Sequence, residues 1–227
     1  MQPARVDTAR KFKHYGDKVK QADFHPSQPL LLLAQYSGQL AVFNHLTGAL
    51  VKKIEVSAQP LRSAVWLPDD AILTAGDDRQ LRVFSFHSTR RLHQCEPHKD
   101  FIRRAVYHPG LRCVLSCSDD KTIARCQVGR EGLVREGGWA EHRHFVMDIK
   151  LSPQEEHAFA SASLDGTVKL WNLRSPASSH TLKGHKSGVN CLAYLARDRP
   201  LLLSGGDDHA VILWDLASRS LLRRLEQ

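Results

Sequence analysis

Long apolar runs are missing from this chain of 227 residues. A stretch such as "LLLLA", at positions 30–34, is far shorter than the roughly 18 residues a membrane span requires. The opening "MQPARVDTARKFKHYG" has no apolar segment of signal-peptide type, so the chain is expected to be soluble and not secreted. The five cysteines, at 95, 113, 117, 126 and 191, form an odd set with no C-x-x-C spacing. That argues against a disulfide framework and a structural zinc site, fits a reducing compartment best, and leaves no metal or cofactor to be expected. Helical periodicity is lacking as well. Aromatic residues make up only 7% of the chain, whereas nucleic-acid readers interleave aromatic side chains for base stacking, so no nucleic acid is expected as partner.

What is present is enough apolar content for a core, 42%, and a formal charge of +8. Excess Lys and Arg suits an acidic peptide, an anionic membrane or a nucleic acid, and charge alone does not choose among them.

A repeat organises the sequence. Asp78 in "LTAGDDRQLRVF", Asp120 in "LSCSDDKTIARC", Asp165 in "SASLDGTVKLW" and Asp208 in "LLLSGGDDHAVILWD" open the same turn, each followed by an alternating strand. Ser37 takes that place in "LLAQYSGQLAVFN", with Phe43 in the aromatic place. The turn positions are 41, 42, 45 and 43 residues apart, against roughly 40–45 residues for a four-stranded propeller blade. His98, His142 and His185 precede their aspartates by 22, 23 and 23 residues. Each His is therefore expected to meet its Asp: His98 with Asp120, His142 with Asp165, His185 with Asp208. Inside the units the period is two, and turns such as "HPSQP", "LPDD" and "HPG" separate first from second strands. The fold is expected to be all-β, with units at about 1–49, 50–92, 93–137, 138–180 and 181–227. The architecture claims these His–Asp pairs, and no serine recurs beside them as a candidate nucleophile, so an enzyme is not expected.

Two columns remain once the turn aspartates are assigned. The residue before the turn position reads Tyr36, Asp77, Asp119, Leu164, Asp207 through the units, and the residue five after the histidine reads Lys20, Arg62, Arg103, Met147, Asn190. Both columns are expected on one face, around the axis. Three cations there repel one another unless an anion lies between them, and acids beside them suit a ligand that carries both charges. Rim charges scattered without function are the plain alternative, since isolated surface pairs contribute only about 0–1 kcal/mol.

Gly184-His185, Asp208 and Trp214-Asp215, with "LDGTVKLWNL" one unit earlier, resemble the WD-repeat family. Longer stretches, among them "DKVKQADFHPSQPLLLLAQYSGQLAVFNHLTGALVKKIEV", "HKDFIRRAVYHP" and "HFVMDIKLSP", resemble in order and spacing the amino-terminal propeller of the beta-prime subunits of coatomer, with the alpha subunits as a close second. The resemblance implies a WD-repeat β-propeller, here five four-stranded units of a seven-bladed ring. It implies a non-enzymatic vesicle-coat subunit that recognises carboxy-terminal dilysine signals of membrane cargo returning from Golgi to endoplasmic reticulum. Other coatomer subunits would be its partners, in the cytoplasm and peripherally on Golgi membranes and transport vesicles. By the same resemblance Lys20, Arg62, Arg103 and Lys18 bind the peptide carboxylate, and Tyr36, Asp100, Asp119 and Asp207 bind its lysines.

This sequence departs from the pattern at Cys126, where Trp is usual, so the third unit is expected to pack loosely; the second unit lacks the His. An arc of five units leaves sheet faces and edges open, and the isolated chain is expected to associate through them. The competing functions are a generic WD-repeat scaffold that binds another protein or RNA through its basic face, and anionic lipid binding through Lys52, Lys53, Arg90 and Arg91, for which solvated surface charge is the plainer reading.

Overall fold

Alternating apolar and polar residues make half-buried strands, and short turns between them make sequential strands antiparallel neighbours. The computed structural model describes residues 17–129, 132–195 and 199–226. It contains five four-stranded sheets, each in chain order from first strand to fourth. Sheet one comprises β1 (Val19–Phe24), β2 (Leu30–Gln35), β3 (Gln39–Asn44) and β4 (Leu50–Glu55). Sheet two comprises β5 (Leu61–Leu67), β6 (Ala71–Gly76), β7 (Leu81–Ser85) and β8 (Arg91–Cys95). Sheet three comprises β9 (Ile102–His108), β10 (Cys113–Ser118), β11 (Ile123–Gly129) and β12 (Gly132–Trp139). Sheet four has β13 (Val146–Leu151), β14 (Ala158–Ser163), β15 (Thr167–Asn172) and β16 (Ser178–Lys183). Sheet five has β17 (Val189–Leu195), β18 (Leu201–Gly206), β19 (Ala210–Asp215) and β20 (Ser220–Glu226).

The first strands β1, β5, β9, β13 and β17 pack against one another in that order, which puts them nearest the axis of a partial propeller. The unit boundaries expected at 49/50, 92/93, 137/138 and 180/181 fall just before β4 or inside β8, β12 and β16, so it is the outer strands that they divide from their sheets.

An apolar cluster fills each seam. Leu32, Leu40 and Val42 meet Ala64, Trp66 and Ile72 between sheets one and two, and Ala160, Ala162 and Val168 meet Leu192, Leu202 and Ile212 between sheets four and five. Each fully buried Leu or Ile contributes roughly 1.5–3 kcal/mol. Polar links cross the same seams: Trp66 N–H donates to Asp23 Oδ2 at 2.9 Å and Leu192 N–H to Asp148 Oδ2 at 2.9 Å. Around Cys126 the third sheet does not pack loosely, although farther out in the same seam a groove of about 720 Å³ opens between Val83 and Leu92 on one side and Tyr107 and Val128 on the other. Cys126 is fully buried, in one cluster with Val83, Val114 and Leu133, and β10 is buried along its whole length. Sheet five turns its other face to solvent, where Ala193, Val211 and Leu225 are exposed beside half-buried Leu203 and Leu213.

The turn between second and third strands is the same in all five sheets. The residue after the turn position has positive φ each time: Gly38, Arg79, Lys121, Gly166 and His209. Only glycine adopts that conformation without steric cost, so Arg79, Lys121 and His209 are held there by the hydrogen bonds around the neighbouring aspartate.

Candidate functional site

The turn aspartates meet their histidines as the spacing predicts. His98 Nδ1 lies 3.0 Å from Asp120, His142 Nδ1 2.8 Å from Asp165, and His185 Nδ1 2.8 Å from Asp208. The carboxylate can only accept, so Nδ1 carries the proton and Nε2 is left as acceptor. Nε2 then takes a hydroxyl hydrogen from Ser116 at 2.8 Å, Ser161 at 2.7 Å and Ser204 at 2.7 Å. In sheets four and five the same serine oxygen accepts the indole N–H of Trp171 or Trp214 at 2.8 Å.

A serine therefore does recur, four residues ahead of Asp120, Asp165 and Asp208, contrary to the expectation from sequence. The signal was visible in "SCSDD", "SASLD" and "SGGDD". Geometrically these are Ser-His-Asp arrays, but all three serines are buried, each donating to its ring out of reach of solvent. Burial pushes the Asp120, Asp165 and Asp208 carboxyls up, yet the hydrogen bonds they accept outweigh it and hold all three well below the usual carboxylate range. In the second sheet, which lacks the His, Arg82 Nη1 donates to Asp78 at 2.6 Å instead.

The second column owes its direction to a repeated irregularity. The pairing of first with second strand slips by one residue in every sheet, and the residue passed over is Lys20, Arg62, Arg103, Met147 or Asn190. A bulge of this kind re-aims the extra residue's side chain. Here all five line one axial cavity of about 180 Å³, together with Arg104 and Asp148. Arg104 and Asp148, which pair at 2.9 Å, were not singled out from sequence; the second Arg of "FIRR" and the Asp of "FVMD" were their only traces.

A backbone bond ties the two columns. The N–H of Tyr36, Asp77, Asp119, Leu164 and Asp207 donates to the carbonyl of Lys18, Pro60, Phe101, Phe145 and Gly188, two residues before the bulged position, at 2.8–3.0 Å. Acid and base of one sheet thus lie side by side. Arg62 donates to Asp77 through Nε at 2.6 Å and Nη2 at 2.7 Å, and Arg103 to Asp119 at 2.6 and 2.5 Å. Asn190 Nδ2 donates to Asp207 at 2.5 Å. The Asp77 fork raises the Arg62 pKa above its ordinary value.

This corrects the expectation that only an external anion could relieve the repulsion among Lys20, Arg62 and Arg103. Asp77 and Asp119 neutralise the two arginines from within. Asp119, expected as a lysine ligand, is buried with both oxygens held by Arg103. Asp207 is exposed and Asp100 half-buried on the loop beside Asp119. Tyr36 is exposed, but its ring lies among the cations, 5.1 Å from Lys20, 5.8 Å from Arg62 and 6.0 Å from Lys18. Among the described residues Lys20 has no carboxylate partner. Of the four cations considered for lipid contact, Lys52 is already engaged, with Nζ donating to Phe86 O at 2.6 Å across the first seam.

The WD domain, G-beta repeat family matches residues 89–124, 136–172 and 177–215. The chain is 38% identical over 225 residues to coatomer subunit beta'-1 of Arabidopsis thaliana, covering 99% of the chain and 24% of that protein. It is 39% identical over 210 residues to coatomer subunit beta' of Rattus norvegicus and of Homo sapiens, covering 90% of the chain and 23% of each. It thus spans about a quarter of the length of these relatives.

Proposed function

The chain belongs to the WD-repeat family, and on that footing we propose that it is the cargo-reading propeller of a vesicle-coat subunit, a binding module and not an enzyme, which takes carboxy-terminal dilysine tails of membrane proteins. The similarity to beta-prime coatomer subunits supports the setting: retrieval from Golgi to endoplasmic reticulum, on the cytoplasmic face of Golgi membranes and vesicles, with other coatomer subunits as partners.

The observation that carries the proposal is the charge balance at the axis. Arg62, Arg103 and Arg104 are each paired with a carboxylate, that of Asp77, Asp119 or Asp148, and Asp207 is held by the neutral Asn190, so that among the described residues Lys20 is the lining cation without a carboxylate. One terminal carboxylate matches it, accepting from Lys20 and from the guanidinium hydrogens that the Asp forks leave free. Lys18 adds to the same field. The peptide lysines, a few residues earlier, would meet Asp207 and Asp100, with the Tyr36 hydroxyl as a further acceptor. Asp119 then acts by orienting Arg103 and by its charge, not by direct contact.

Calorimetric titration with a peptide ending Lys-Lys-x-x, compared with its carboxy-amidated form, tests this. The free acid is expected to bind at least tenfold more tightly, or about 1.4 kcal/mol. Equal affinities would remove the carboxylate from the site, and tighter binding of RNA than of either peptide would favour the scaffold alternative.

A further inference from the structure

Cys126 stands six residues after its turn aspartate, where the other sheets carry Phe43, Phe84, Trp171 and Trp214. The smaller side chain leaves volume in the seam between sheets two and three, and Cys95, the last residue of β8, reaches into it. The two sulfurs are 3.9 Å apart, with neither in a disulfide. Cys126 is fully buried and Cys95 half-buried, so a small reagent has access from the Cys95 side only.

We propose that Cys95 and Cys126 form an oxidant-responsive modification site, at which a peroxide converts the thiol pair to a disulfide that joins sheet two to sheet three. A disulfide needs about 2.05 Å between sulfurs. At 3.9 Å the two sulfurs already stand in contact across the seam. Cys95 reacts first: its thiolate attacks one peroxide oxygen, the O–O bond breaks, and Cys95 becomes a sulfenic acid as the other oxygen leaves as water. The Cys126 sulfur then attacks the Cys95 sulfur, the S–O bond breaks, and the thiol proton leaves with the hydroxyl as a second water. Two thiols lose two electrons, which one peroxide takes up.

The order follows from the surroundings. The neighbouring Cys126 sulfhydryl holds the Cys95 thiol below its ordinary pKa, while the Cys95 contact first and burial second push Cys126 far up. Cys113, on the strand beside Cys126, is buried, and burial pushes its thiol up as well. The pair lies on the outer half of the seam, on β8 and β11, away from the bulges that line the axis. Closing it therefore strengthens the seam without touching the axial cavity.

The test uses the full chain carrying Cys191→Ser, which removes the exposed cysteine and hence pairing between molecules. After reduction, treatment with hydrogen peroxide and alkylation in denaturant, two of the remaining thiols are expected to disappear. Trypsin should release residues 92–99 joined to 126–130, distinct from the fragment 113–121 that carries Cys113 and Cys117. The urea midpoint of the oxidised chain should rise, and Cys95→Ser should abolish both the linked fragment and the shift. Cys95 recovered as sulfinic acid, or linked to 113–121, or alkylated in full, would overturn the site. A linked fragment with an unchanged or lower midpoint would overturn its role as a clasp.

Discussion

Replacing Asp165 by Ala removes the acceptor at the centre of the fourth sheet's polar network. Its carboxylate accepts from His142 Nδ1 at 2.8 Å, Arg143 N at 2.9 Å, Thr167 N at 3.0 Å and Thr167 Oγ1 at 2.6 Å. Arg143 is exposed, and its N–H can turn to water. The His142 ring is 1% exposed and cannot, and its other nitrogen is committed to Ser161, which also holds Trp171. An orphaned buried donor costs roughly 1–3 kcal/mol, and the lost charge-assisted bonds to Thr167 add about 1.5–3. The expected loss is on the order of 3–5 kcal/mol, or a melting point lower by about 10 °C at roughly 2–4 °C per kcal/mol for a domain of this size. Urea denaturation followed by circular dichroism measures it. The Asp165 carboxyl is held below its unfolded value of about 3.9, so its contribution is complete above that pH and is lost as pH falls toward the folded value. The gap between wild type and variant should therefore narrow below about pH 4. A loss under about 1 kcal/mol, or a gap that widens on acidification, refutes the reasoning.

Arg103→Glu should lower stability by about 3 kcal/mol, because it sets a second carboxylate against buried Asp119 where a guanidinium was; Arg103→Ala should cost less, and equal melts for the two would show that Asp119 is not held there. Both variants should lose dilysine-peptide binding at least tenfold, read by the same titration. Lys121→Gly should stabilise by up to about 1 kcal/mol, since Lys121 sits at positive φ; a lower urea midpoint would show that its side chain does more than occupy the turn. The isolated chain should self-associate through the exposed face of sheet five, and Val211→Lys with Leu225→Lys should restore a monomer in light scattering. A monodisperse monomer without these changes would exclude that face.

The sequence by itself determined the all-β character, the five units and the three His–Asp pairs, because each rests on chemistry that repeats within one unit: alternation, a turn aspartate, a histidine at constant distance. It also placed Lys20, Arg62, Arg103, Met147 and Asn190 in one column, since equivalent positions in repeats take equivalent places. Direction and partnership were decided by the tertiary structure. The bulge that aims the column into the axis is a slip in pairing between strands, and no residue type marks it. Whether Arg62 and Arg103 stand free or forked to Asp77 and Asp119 depends on backbone bonds that bring two separate segments to the same edge. The serine under each histidine was legible as a spacing but gained meaning only from its distance to the ring. Cys126 alone predicted a loose seam; Cys95, on the neighbouring sheet, packs against it. Contacts across a seam depend on how two sheets are set against each other, and that relation is established by the packing of both faces together, not by either strand's own pattern.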